Sequence, residues 1–137
     1  MSHDTQRRTL LLGLSASLLA ACASTGKPSL AYLNGNAFYL EKIQYPRDKT
    51  LLRLRLLDIT DSDNAPAVVA EQSLEKVGTP AAYSLCYDSR AVSSGRRYVV
   101  DARLFVDGEL RMQGRELVAN MDGNSPGPQV RLQSATE

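Results

Sequence analysis

The sequence has no tryptophan, two phenylalanines, two cysteines and one histidine in 137 residues. Each shortage excludes something. The single histidine, His3, stands near the N-terminus, so His triads, His general bases and multi-His metal sites have nothing to build from. Neither sign of charge is in excess, with 16 basic and 15 acidic side chains, which argues against a nucleic-acid binder. There is no phosphate-cradling glycine loop. No apolar run reaches the roughly 20 residues that a membrane-spanning helix needs. The length is that of one domain.

What is present begins with an address. Arg7 and Arg8 form a positive region, and an apolar stretch of about eleven residues follows, from Leu10 to Ala20. It ends in Leu19-Ala20-Ala21-Cys22, which resembles the lipobox of bacterial lipoproteins. Only the Cys22 thiol can take a diacylglyceryl thioether there, and the peptidase needs small side chains just before it. Residues 1–21 are therefore expected to be removed, and the freed Cys22 amine to take a further acyl chain. Two or more chains anchor stably, at roughly 0.8 kcal/mol per buried CH2. The run Thr5 to Leu11 is compatible with twin-arginine export as well as ordinary Sec export. Ala23, where an aspartate would signal inner-membrane retention in many enteric bacteria, favours the outer membrane with the domain facing the periplasm. Residues 22–29 are small and polar and read as a lipidated tether.

Removing 21 residues from 137 leaves 116. Arg7, Arg8 and Asp4 go with the signal, leaving 14 basic and 14 acidic residues and no histidine. With Cys22 acylated, Cys86 has no partner within its chain and is expected as a small buried apolar residue.

The remainder reads as strands. Leu52, Leu54 and Leu56 alternate with Arg53 and Arg55, the period of a half-buried strand. Tyr98, Val100, Ala102, Leu104 and Val106 repeat it, with Asp101 and Arg103 facing the other way. Asp107-Gly108 supplies a tight hairpin turn, and Leu110, Met112 and Gly114 return from it. Further strands are expected at 31–40, 67–74, 81–87 and 115–120, with Asp88 capping a short helical turn after the last but one. The expected fold is all-β: one sandwich of about seven to eight short, mainly antiparallel strands over 30–121. The tail, 122–137, is rich in Gly, Pro and polar residues and is expected to be loose, with Val130-Arg131-Leu132 as a possible edge strand.

Candidate chemistry is sparse. Asp58, Asp61, Asp63 and Asn64 cluster, but Ala65 and Pro66 stand where a calcium loop needs a ligand and a glycine, so these residues read as turn caps. Arg96-Arg97, Arg53, Arg55, Arg90, Arg103, Arg111 and Arg115 are interleaved with acids and read as a mixed-charge surface suited to interfaces. No catalytic residue, metal ligand or cofactor is expected, and an enzyme or small-ligand carrier is set aside.

Leu56-Leu57-Asp58-Ile59-Thr60-Asp61-Ser62-Asp63-Asn64-Ala65-Pro66-Ala67, with Val68-Val69-Ala70-Glu71-Gln72 after it, resembles a stretch of the YscW/YbaY-type lipoproteins. Tyr87-Asp88, Gly95-Arg96-Arg97-Tyr98 and Asp107-Gly108 are similar to that family's later motifs, in the same order. The likeness spans roughly 30–118. It departs from the family at Tyr45-Pro46-Arg47-Asp48-Lys49, where a Pro-Pro turn is common. The resemblance implies a β-sandwich. It also implies a pilotin of the ExsB type, an outer-membrane lipoprotein that binds the type III secretion secretin and aids its targeting or assembly. The partner would be a secretin subunit, at its C-terminal region, and the binding surface is not located by these motifs. The alternative within the family is a structural or stress-related envelope lipoprotein with no secretin client.

Overall fold

The structure, a computed structural model, describes residues 29–61 and 63–135. The expected signal, its lipobox residues Leu19, Ala20 and Ala21, and Cys22 lie outside the described residues.

β2 (Thr50–Asp58) carries the leucine alternation. Leu52, Leu54 and Leu56 are essentially fully buried, and Arg53 and Arg55 face the other way, half-buried. Burying each leucine contributes about 1.5–3 kcal/mol. β5 (Tyr98–Val106) pairs beside β2 with Leu54 opposite Ala102 and Leu56 opposite Val100, so the two inward rows join. Asp107 and Gly108 then adopt φ of 53° and 82°, the two positive values that the expected tight hairpin requires. The return strand, β6 (Glu109–Leu117), runs on without a break, so the separate strand expected at 115–120 is its final third.

β3 (Ala67–Glu75) flanks β2, and β8 (Gln133–Ser134) flanks β6, giving a five-stranded sheet in the order β3-β2-β5-β6-β8. The second sheet has the order β4-β1-β7, from β4 (Ala81–Asp88), β1 (Leu30–Phe38) and β7 (Val130–Arg131). The β1–β7 pair is parallel and the other pairs are antiparallel. The expected sandwich of eight short strands is the observed architecture. Its core joins Leu33, Ala37, Tyr83, Leu85 and Tyr87 of the smaller sheet to the β2, β5 and β6 rows of the larger. Asp88 caps the 3-10 turn Ser89–Ala91, its Oδ1 accepting from Arg90 N at 3.0 Å.

Two expectations need correction. The tail is not loose. Between 130 and 134 it donates a strand to each sheet, and Val130 and Leu132 are 0% and 3% exposed. Gly, Pro and Ser dominate its composition, but two apolar side chains spaced for one face are enough to dock it. Gly114 makes room for it: a Cβ there would lie 2.9 Å from the Arg131 carbonyl carbon and 3.2 Å from Val130 Cγ1. Gly127 N donates to Asn34 O at 2.7 Å, and the Tyr83 hydroxyl donates to Pro128 O at 2.6 Å. The second correction is Cys86, which is free and exposed. The alternation that buries Tyr83, Leu85 and Tyr87 turns Cys86 outward with Ala82 and Ser84. Period and residue type conflicted here, and the period won.

Candidate docking cleft

β1 ends at Phe38, and the chain then runs irregularly through residues 39–46 before the 3-10 turn Arg47–Lys49 leads into β2. That stretch holds Tyr39, Leu40, Ile43 and Tyr45 with no strand period, and Pro46 closes it. A cavity of about 390 Å³ opens here between the two sheets. Its floor is core: Ala37, Leu52, Ala81, Leu104 and Leu132. Tyr39, Ile43 and Tyr45 form one wall, and Val77 to Pro80, the link from β3 to β4, forms the other. A second cavity of about 400 Å³ adjoins it, sharing Tyr39, Thr79 and Pro80 and adding Phe38 and Leu40. Leu40 and Ile43 stand at the mouth, 63% and 44% exposed.

The walls are held by hydrogen bonds that leave the apolar surface free. Tyr39 OH donates to Ile43 O at 3.0 Å, and Tyr39 N donates to Thr79 Oγ1 at 3.1 Å, tying the two walls together. The Tyr39 and Tyr45 rings meet edge to face, with centroids 6.1 Å apart. Burial is the main force raising the Tyr39 pKa, with Tyr45 and Glu41 adding to it, so its hydroxyl stays neutral and remains a donor. Thr50, buried at the rim, donates to Arg47 O at 2.8 Å and accepts from Val77 N at 3.0 Å. Arg47 lies against Gly78, where a Cβ would meet Nη2 at 2.9 Å. A guanidinium is therefore kept at the edge of a slot with a core floor and with Gln44, Thr50 and Thr79 among its walls. Nothing in the lining pairs an acid with a base or a nucleophile. The arrangement suits the apolar side chains of another polypeptide better than a bond-making step.

The residues singled out in the sequence lie elsewhere. The Asp58–Asn64 cluster is a turn, as its composition suggested. Asp58 Oδ1 accepts from Thr60 N at 2.9 Å and from Thr60 Oγ1 at 2.6 Å, and Arg96 Nε donates to Asp58 Oδ2. Those Thr60 bonds foremost, with Arg96 in support, hold the Asp58 carboxyl at a pKa of about 2. Asp61 accepts from Asp63 N and from the Asn64 amide. Two short serine patterns associated with hydrolases occur among the described residues, and neither has its structural context. Gly123-Asn124-Ser125-Pro126-Gly127 lies in the tail rather than in a strand-to-helix elbow, and Ser125 Oγ bonds Asp122 Oδ2 at 3.1 Å. Ser73, of the pattern Ser73-x-x-Lys76, is exposed on β3, and Lys76 stands just beyond the strand at a φ of 56°. The arginines divide between loop ion pairs and the outer face of the larger sheet. Cleft residues went unnoticed in the sequence. The available signal was the cluster of four large apolar residues between 39 and 45, of which the expected strand 31–40 took in Tyr39 and Leu40 although β1 ends at Phe38.

Comparison with known proteins places the chain. A family model described as "Type III secretion system lipoprotein chaperone (YscW)" matches residues 28–132. Among solved structures, the fold is similar to that of an alternative pilotin from the type II secretion system of Vibrio cholerae. The TM-score is 0.70 and the identity 27%, over 79% of this chain and 99% of that one. No curated protein matches. The chain belongs to the YscW family of type III secretion system lipoprotein chaperones.

Proposed function

We propose that the protein is a pilotin: a lipid-anchored outer-membrane lipoprotein that binds a secretin subunit and aids its targeting or assembly. The family and the pilotin neighbour support a chaperone role of this kind. The observation that carries the reading is the cleft between the sheets, with its floor of core side chains, which sits at the end of the domain opposite the start of β1. A segment near the secretin C-terminus would place apolar side chains there, with Leu40 and Ile43 at the entrance. The protein acts by binding and has no bond-making role.

Cys22 would supply the membrane address through S-diacylglyceryl and N-acyl chains. It stands seven residues before Ser29, a reach of at most about 25 Å at roughly 3.5 Å per residue. β1 then carries the chain a further ~25 Å to the cleft, at about 3.3 Å per residue. The anchor and the cleft would thus sit at opposite ends, leaving the cleft open to a periplasmic client.

Pull-down of C-terminal fragments of the secretin encoded with this protein tests the reading. Retention of a fragment is expected. Failure to bind any secretin fragment from the same cell would refute it and leave an envelope lipoprotein without a secretin client. Cys22→Ser is expected to release the protein from washed outer membranes, and its retention there would refute the address.

A further inference from the structure

The outer face of the five-stranded sheet presents an arrangement that the fold does not require. Arg53 of β2 stands directly opposite Arg103 of β5. Like charges directly opposed across strands are unfavourable unless something else neutralises them. Gln113 faces Arg103 from β6, Ser73 faces Arg53 from β3, and Gln133 faces Gln113 from β8. One row across all five strands therefore reads Ser73, Arg53, Arg103, Gln113, Gln133: every member donates hydrogen bonds and none is an acid.

The neighbouring row compensates only in part. Asp101, 8% exposed, is shared between Arg103, 3.2 Å away, and Arg115, 3.3 Å away. Arg55 pairs with Glu71 at 3.3 Å. Arg53 has no acidic partner among the described residues and lies over the Phe105 ring at 5.1 Å. Arg53 Nε and Arg103 Nε are both buried without a hydrogen-bond partner, Arg103 Nε being near Asp101 but out of line with it. Two guanidiniums thus share one carboxylate, and Arg53 beside them has none. On the other side of the donor row, Leu51, Phe105 and Leu110 form a half-buried apolar row with Glu75 at its edge.

We infer that this face is a second docking surface, distinct from the cleft, and that it takes an acidic polypeptide segment with apolar residues beside its carboxylates. Charge complementarity is the argument. Arginine rather than lysine at both central positions supplies planar forks that grip carboxylates in pairs. The apolar row lies two residues along the strands, about 6.6 Å away, within reach of the same segment. An anionic membrane fits less well. At the end of the sandwich where β1 begins, Asp61, Asp63, Asp122 and Glu116 are exposed. Arg90 and Arg96 there are already tied to Asp88 and Asp58, leaving Arg97 against four acids. A lipid leaflet of negative charge would be repelled from that end.

The test uses the detergent-solubilised protein with poly-L-glutamate as probe, poly-L-lysine as control, and phosphatidylglycerol vesicles as the membrane arm. Poly-L-glutamate is expected to bind, more weakly at higher salt, and Arg53→Gln/Arg103→Gln to weaken it by about tenfold or more. Arg103→Lys, which keeps the charge but loses the fork, is expected to fall between. Arg111→Gln, at an exposed arginine paired with Glu109, is expected to change binding less than twofold. Circular dichroism and thermal melting would show each variant folded, and relief of the Arg53–Arg103 opposition keeps the double variant from being the unstable one. The inference is overturned if poly-L-glutamate does not bind, if Arg111→Gln weakens it as much as the double variant, or if vesicles compete for the same arginines. Because the probe is not a secretin, these outcomes are independent of the cleft and of its client.

Discussion

Gly114→Ala tests the docking of the tail. Gly114 faces Ala102 across the β5–β6 pair, and the tail backbone crosses directly over it. An added Cβ would press on the Arg131 carbonyl group and lie 3.2 Å from Val130 Cγ1. The carbonyl is backbone and cannot rotate away. Either β6 and β7 separate, an overpacking cost of about 1–3 kcal/mol, or the tail leaves its site. Leaving would return Val130 and Leu132, now 0% and 3% exposed, to water. At about 1.5–3 kcal/mol per side chain that costs roughly 3–6 kcal/mol, an upper bound because unfolded chains are themselves partly compact. A domain of this size has about 5–15 kcal/mol in all. Urea denaturation should therefore show Gly114→Ala destabilised by about 1 kcal/mol at least, with a tail more easily cut in limited proteolysis. Truncation after Pro128 should reproduce the loss at its upper end. Gly95→Ala, where a Cβ meets nothing within 4 Å, is the control and should stay within about 0.5 kcal/mol of the parent. Equal stability of Gly114→Ala and the parent, with the tail still protected, would refute the packing described.

Two further outcomes follow from local chemistry. Asp58 has a folded pKa of about 2, below its ordinary 3.8, so it contributes stability above pH ~4 that is lost as pH falls toward 2. Asp58→Asn should flatten that limb of an acid titration followed by circular dichroism, and an unchanged limb would refute the assignment. Cys86 is exposed on the outer face of β4, so it should react with a thiol reagent in the native protein at the rate seen in urea. Protection in the native state would show it covered.

The strands were legible because each carries its own period. The leucines of β2 and the apolar row of β5 need no distant information to define a face, and Asp107-Gly108 has few turns open to it. Asp88 and the Asp58–Asn64 turn were legible for the same reason, since they bond their own neighbours. The rest is non-local. Nothing within 122–135 shows that Val130 and Leu132 fill a gap between sheets built from residues 30–117. Gly114 and Gly127, which let that backbone in, read in sequence only as weak points of a strand and a loop. The cleft is of the same kind. Its floor comes from five separate segments, and Tyr39, Leu40, Ile43 and Tyr45 show only that something apolar lies there. The arginine pair required the β2–β5 register, because Arg53 and Arg103 are separated by fifty residues in sequence.

The central claim is that the cleft between the sheets holds a secretin segment. The most direct measurement is the affinity of the detergent-solubilised protein for a C-terminal secretin fragment, compared with that of Leu40→Ser/Ile43→Ser. These side chains are 63% and 44% exposed, so the double variant should keep its stability within about 1 kcal/mol. The account predicts that the parent binds the fragment and that the double variant binds it about tenfold or more weakly, as expected when exposed apolar anchors are lost. Undiminished binding by the folded double variant would contradict it.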